Sequence, residues 1–178
     1  MKEIVPQAIF KTRVRTDDSV DSNPFEWCEL TTDEIFNGKK VILFALPGAF
    51  TPACSEVHLP GYESEFDAFR ELGVDSVICL AVNDAFVMYQ WAKSQGVSKV
   101  FMLPDGNGEF SRKMGMLVDR SSQGMGMRSW RYSIYVDDGE IKQFFVEPDF
   151  QDNPAGVPVQ VSGADTMLSY LQGELGRS

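Results

Sequence analysis

Six consecutive apolar residues, Val41-Ile42-Leu43-Phe44-Ala45-Leu46, run straight into Pro47-Gly48. A strand with one wet face alternates apolar and polar residues. An unbroken apolar run of this length reads as a strand covered on both faces, which demands layers of other structure above and below it. The pattern recurs in Ser76-Val77-Ile78-Cys79-Leu80-Ala81-Val82, closed by Asn83-Asp84, and in the shorter Val100-Phe101-Met102-Leu103, stopped by Pro104-Asp105-Gly106. Between these runs the period changes. Tyr62, Phe66, Phe69 and Leu72 share one helical face, and residues 85–95 form a second helical segment with Asn83 or Asp84 as N-cap and Gly96 as stop. Strands joined by helices give parallel neighbours. Trp130 to Val136 alternates with period two, turns at Asp137-Asp138-Gly139 and returns over residues 141–146, which reads as an antiparallel hairpin. Residues 164–171 make a terminal helix. The expected architecture is α/β, in three layers, with a mixed central sheet flanked by helices.

The 178 residues suit one domain spanning 1–178, long enough to bury a core without staples. Sixteen basic against 26 acidic residues leave a net charge of −10, a surface that repels nucleic acid and anionic lipid. No apolar run nears the ~20 residues of a membrane span, and the first residues resemble neither a signal nor a transit peptide, so a cytoplasmic location is expected. Cys28, Cys54 and Cys79 are odd in number and too sparse for a disulfide scaffold, which points to a reducing compartment. No C-x-x-C pair exists, which excludes a dithiol exchange site. A single histidine, His58, and the absence of closely spaced cysteines argue against a metal, and no cofactor is expected.

The chemistry concentrates at Cys54. The stretch Pro47-Gly48-Ala49-Phe50-Thr51-Pro52-Ala53-Cys54-Ser55 leaves the first buried strand at what should be its carboxyl edge, where α/β proteins gather their sites. Thr51 suits an N-cap and Pro52 the first helical position, which puts Cys54 in the first turn. There the free backbone N–H groups and the positive end of the helix dipole favour a thiolate. Thr51, three residues earlier, can face the same space. Pro60 should interrupt or kink the helix. A lone cysteine is more often a buried small hydrophobe, but the start of a helix after a Pro-Gly turn is a poor place to hide a sulfur.

The run Pro47-Gly48-Ala49-Phe50-Thr51-Pro52-Ala53-Cys54-Ser55, followed by His58-Leu59-Pro60-Gly61-Tyr62, closely resembles the active-site segment of peroxiredoxins. The likeness is strongest to the type II subfamily, which includes plant enzymes and bacterial forms fused to a glutaredoxin. It continues through Val82-Asn83-Asp84-Ala85-Phe86, Leu103-Pro104-Asp105-Gly106 and Gly126-Met127-Arg128-Ser129-Trp130-Arg131-Tyr132-Ser133. The resemblance implies a thioredoxin-like fold and a thiol-dependent peroxidase acting on hydrogen peroxide and alkyl hydroperoxides. In that reading Cys54 is the peroxidatic nucleophile, Thr51 orients the peroxide, Arg128 stabilises thiolate and transition state, and Pro47 shields the oxidised sulfur. Arg131 is a weaker candidate for the same charge. His58, one turn after Cys54, could form a protease-like Cys–His pair, but a packed or hydrogen-bonded histidine is the expectation. Phe86 matches a homodimer contact of type II relatives, with a core aromatic as the alternative.

The oxidised Cys54 must be reduced by a thiol. Cys79 is the candidate internal resolving cysteine, at a spacing that resembles plant type II enzymes. Its mid-strand position puts it roughly 10 Å below the strand end, and a disulfide needs Cα atoms within ~7 Å, so a structural Cys79 is expected. Cys28 has acidic neighbours that disfavour its thiolate. The expected donor is glutathione with a glutaredoxin, a separate protein because this chain ends at Ser178 without one. Thioredoxin is the runner-up. A redox sensor or holdase using the same cysteine is the alternative function. Asp105-Gly106-Asn107-Gly108-Glu109 starts like a calcium loop but lacks its later positions and reads as a turn.

Overall fold

The computed structural model describes residues 2–16 and 25–175. Its core is a five-stranded sheet in the order β5-β4-β3-β8-β9, formed by β3 (Lys40–Ala45), β4 (Ser76–Ala81), β5 (Phe101–Pro104), β8 (Tyr132–Asp137) and β9 (Glu140–Val146). β3, β4 and β5 are parallel, while β8 runs antiparallel to β3 and β9 antiparallel to β8. The expected mixed sheet, flanked by helices in a thioredoxin-like arrangement, is what the chain builds.

Successive side chains of a strand point to opposite layers. On one face Ile42 and Phe44 of β3 join Val77, Cys79 and Ala81 of β4 under Tyr62, Phe69, Met88, Trp91 and Met167. These last residues come from α2 (Leu59–Ser64), α3 (Phe66–Glu71), α4 (Ala85–Gln95) and α6 (Ala164–Leu175). On the other face Val41, Leu43 and Ala45 join Ile78 and Leu80 under Phe10, Ile35, Phe36 and Phe110. Ile35 and Phe36 lie on α1 (Thr32–Phe36), and Phe110 on α5 (Glu109–Lys113). Both central strands are covered twice, as their unbroken apolar runs demand.

Local signals operate where expected. The Asp84 carboxylate accepts the Val87 N–H at 2.9 Å to cap α4, and Gly96 ends it in a left-handed conformation (φ +67°). The Asp105 loop is a turn, and its carboxylate caps α5 by accepting from Phe110 N, Ser111 N and Ser111 Oγ.

Three features depart from the sequence reading. The chain opens with a hairpin, β1 (Ile9–Arg15) and β2 (Phe25–Thr31), whose trace was the alternation of Phe10 and Thr12 (buried) with Lys11 and Arg13. The helical segment over residues 62–72 breaks at Glu65 into α2 and α3. The hairpin strand begins at Tyr132 rather than Trp130. Residues 127–129 form a separate strand, β7 (Met127–Ser129), paired with β6 (Leu117–Asp119). Trp130 and Arg131 therefore bridge two sheets.

Among the described residues no helix is long and apolar enough to cross a membrane, and no cluster of His, Cys, Asp and Glu could hold a metal ion.

Candidate active site

The helix that carries Cys54 starts one residue after Thr51. Ser55 N–H donates to Thr51 O at 3.0 Å, so Cys54 sits in a first turn whose N–H groups find no acceptor one turn earlier. Pro60 neither ends nor sharply breaks this helix. It has no N–H to give, and its ring crowds the carbonyl four residues back. The ladder widens to a π-turn over Cys54–His58, in which Leu59 N–H reaches Cys54 O, and then continues as α2.

Cys54 is fully buried, behind a mouth of about 440 Å³ whose lining includes Pro47, Thr51, its chain neighbour Ala53, Arg120, Met125 and its hydrogen-bond donor Arg131. The Thr51 hydroxyl donates to Gly48 O at 2.7 Å, which leaves its oxygen lone pairs available to accept. Pro47 is buried at the rim. Phe50, immediately before Thr51, is exposed and holds a left-handed backbone (φ +63°), a strained conformation of the kind that collects at functional loops.

The guanidinium that donates to the sulfur belongs to Arg131, the weaker of the two sequence candidates, and Arg128 makes no hydrogen bond to it. Arg131 Nη2 donates to Cys54 Sγ at 3.3 Å, Nη1 to His58 Nδ1 at 3.0 Å, and Nε to Val157 O at 2.8 Å. The reason lies in the sheet register. Tyr132 pairs with Ala45 across β8 and β3, so the residue before Tyr132 lies beside the segment leaving β3 toward Cys54. Arg128 sits in β7, opposite Val118. Its side chain donates to Met125 O at 2.8 Å and Val82 O at 3.4 Å. It packs on Gly48, where a Cβ would meet Arg128 Nη1 at 3.0 Å. Arg128 is thus a rim cation.

His58 is a buried, hydrogen-bonded residue, but it is no bystander. Its Nε2 is 3.0 Å from Ser162 O. A carbonyl only accepts, so Nε2 carries the proton and Nδ1 is the bare nitrogen that receives Arg131. Burial first, and the Arg131 charge second, push the His58 pKa down to about 3, against the Ser162 contact that raises it. The ring therefore stays neutral and an acceptor. Ser162 is held in turn: Glu147 Oε1 accepts from the Gln160, Val161 and Ser162 N–H groups and from Ser162 Oγ, at 2.7 to 2.9 Å. Tyr62 OH donates to the same Ser162 carbonyl at 2.7 Å, and its ring stacks on Phe44 at 4.1 Å. Nothing in the local sequence marked Glu147 as a support for the site, because its effect passes through backbone more than ten residues away.

Cys79 lies in the middle of β4, fully buried in the same apolar cluster as Cys54. Burial pushes its thiol well above the ordinary range, and a charge on Cys54 would push it further. It is held as a neutral thiol. Cys28 is on β2, half-buried and opposite Thr12. Phe86, on the first turn of α4, is 50% exposed and belongs to no core cluster. It meets Trp27 edge-on, with Arg13 over its ring.

A family model described as Redoxin matches residues 25–168. The chain is 60% identical over 171 residues to the peroxiredoxin sll1621 of Synechocystis sp., covering 96% of this chain and 90% of that protein. It is 46% identical to the hybrid peroxiredoxin hyPrx5 of Haemophilus influenzae, covering 94% of this chain and 64% of the hybrid. Among solved structures it is similar to the Plasmodium falciparum antioxidant protein, described as a 1-Cys peroxiredoxin. The TM-score is 0.91 at 36% identity, covering 97% of this chain and 99% of the other.

The His58 arrangement sets a pH dependence. Between about 3 and the ordinary histidine value of 6.5 the unfolded chain binds a proton that the folded chain refuses. Folding stability therefore rises with pH across that window, by up to about 1.4 kcal/mol per unit from this group, and its contribution is fully present above 6.5. Urea unfolding of the wild type and His58→Gln at several pH values should show a shallower slope in the variant. Equal slopes would contradict the assignment.

Proposed function

The chain belongs to the peroxiredoxins, and from that membership we propose that it is a thiol-dependent peroxidase in which Cys54 attacks hydrogen peroxide and alkyl hydroperoxides. The observation that carries the reading is the Arg131 guanidinium, which lines a small mouth and donates to the buried Cys54 sulfur behind it.

The chemistry follows from that geometry. The Cys54 thiolate attacks the terminal oxygen of ROOH; an S–O bond forms, the O–O bond breaks, and RO⁻ leaves to take a proton and become ROH. Cys54 is then a sulfenic acid. Negative charge moves from sulfur to the departing oxygen, so a fixed cation that touches the sulfur and faces the mouth serves both ends of the transfer without rearranging. Arg131 takes that role here. Thr51, its proton committed to Gly48 O, accepts the peroxide O–H and aligns it. Pro47 narrows the rim against water, and Arg128 adds charge from the side.

An external thiol clears the sulfenic acid: one R′SH displaces water to give a mixed disulfide with Cys54, and a second R′SH releases R′SSR′ and the thiol. The burial and neutrality of Cys79 support this over internal closure. Glutathione with a separate glutaredoxin is the donor we favour, on the resemblance to the glutaredoxin-fused bacterial forms; thioredoxin is the second choice. The exposed Phe86–Trp27–Arg13 patch supports a homodimer formed through Phe86, and the reducing chemistry suits the cytoplasm. A redox sensor built on the same sulfur would react once and stall, so turnover with an excess of thiol separates the two functions.

Cys54→Ser should abolish peroxide consumption in a coupled glutathione–glutaredoxin assay, and a wild-type rate in this variant would remove the nucleophile assignment. Arg131→Met should slow Cys54 oxidation by at least about 100-fold, the scale of a lost transition-state donor, whereas Arg128→Met should cost less than roughly tenfold. Rapid-quench mass spectrometry reads both, and a reversed order would restore Arg128. Cys79→Ser should retain most of the turnover, and its near-total loss would make Cys79 the resolving thiol.

A further inference from the structure

The mouth above Cys54 is electrically unlike the rest of the chain. The protein carries a net charge of −10. The mouth is nonetheless lined by Arg120 and Arg131, contains no Asp or Glu, and has Arg128 packed at its rim on Gly48. Among the described residues, none of the ion pairs involves any of these three arginines. An ionised Cys54 answers one of the three positive charges, through Arg131. Two remain.

Arg120 is the one with no role in the peroxide chemistry. It is 7% exposed, and its backbone is anchored: its N–H donates to Gly126 O, and its carbonyl accepts from Gln123 and Met125. Its side chain is aimed by a single bond, Nε to Gln123 Oε1 at 2.9 Å. Among the described residues no acceptor is found for its two terminal nitrogens. Burial, together with the nearby Arg131 and Arg128 charges, makes the protonated state of Arg120 costlier than in water, while a charge on Cys54 offsets this. Like charges held together without a counterion are relieved by a bound anion. The free guanidinium fork is shaped for a carboxylate. The mouth that Arg120 shares with Arg131 is otherwise lined in good part by apolar residues, Pro47, Pro52, Met125 and Val157 among them, and can receive a short carbon body.

We propose that Arg120 forms a carboxylate subsite in the mouth, which anchors the acid group of a small molecule whose other end reacts at Cys54. This rests on the peroxidase reading. Two reactants can bring the carboxylate: an organic hydroperoxide that is also an acid, or the acidic thiol that reduces the sulfenic acid. In either case the rest of the molecule lies on the apolar wall and its reactive oxygen or sulfur meets Cys54.

The test uses charged and esterified forms of each reactant on the full chain. For the oxidising step, cumene hydroperoxide bearing a para-carboxylate is compared with its methyl ester, and Cys54 oxidation is followed by rapid quench and mass spectrometry. For the reducing step, glutathione is compared with its diethyl ester on the Cys54 sulfenic acid. The expected result is a preference for the acid over the ester of at least about tenfold in one arm, which names the source. That ratio should shrink as salt is raised, fall toward one in Arg120→Gln and persist in Arg120→Lys. Because each ratio is taken within one protein, a general loss of reactivity in a variant cancels. Ratios near one in both arms, or an unchanged ratio in Arg120→Gln, would overturn the subsite. Hydrogen peroxide, which has no carboxylate, is run alongside: if it fails to oxidise Cys54, the peroxidase reading fails and the subsite with it. If it oxidises Cys54 while acid and ester stay equal, the subsite alone fails.

Discussion

One guanidinium joins the parts of this molecule that matter. Arg131 donates at once to the Cys54 sulfur, to the bare nitrogen of His58 and to the Val157 carbonyl. An arginine so buried needs every donor placed and some negative partner for its charge. The three acceptors come from two separate stretches of chain: Cys54 and His58 from the two ends of the π-turn after β3, and Val157 from the segment between β9 and α6. Cys54 Sγ is therefore one of the acceptors that satisfy this arginine in the core, as much as Arg131 is the donor that holds the sulfur.

That contact can exist only because its neighbours are rigid. His58 accepts from Arg131 because its other nitrogen is committed to Ser162 O, and Ser162 stays in place because Glu147 gathers three successive backbone N–H groups and the Ser162 hydroxyl. Phe44 of β3 stacks under Tyr62 and tilts against His58, which ties the same shell to the sheet. Polar networks of this kind are costly when half satisfied. Here Glu147 Oε1, the Ser162 carbonyl and His58 Nδ1 each receive the donor of the next group up to Arg131, while the buried Glu147 Oε2 has no hydrogen-bond partner among the described residues. The π-turn belongs to this shell as well, since it carries both Cys54 and His58 past a proline that would have closed an ordinary turn differently.

Charge is distributed with the same economy. The acidic excess lies outside the mouth, and the arginines around Cys54 are left without carboxylates of their own. An acid in their midst would neutralise the cations that the proposed thiolate and departing alkoxide call for. Cys79, in the same apolar cluster, is held as a neutral thiol by burial first and by any charge on Cys54 second.

Much of this was legible in the residues themselves. The unbroken run from Val41 to Leu46 required a doubly covered strand, Thr51-Pro52 announced a helix start, Asp84 and Gly96 marked both ends of α4, and the position of Cys54 followed from its neighbours in the chain. These are local matters, decided by sterics and hydrogen bonds within a few residues. The choice between Arg128 and Arg131 was not local. Cys54 and Arg131 are 77 residues apart, and their meeting depends on Tyr132 pairing with Ala45, a register that no segment specifies alone. Only the folded sheet decides which of two arginines, three positions apart, reaches the sulfur. The same holds for the support that Glu147 lends His58 and for the convergence of Arg120 on the mouth, because hydrogen bonds and charges act through space while the sequence orders residues only along a line.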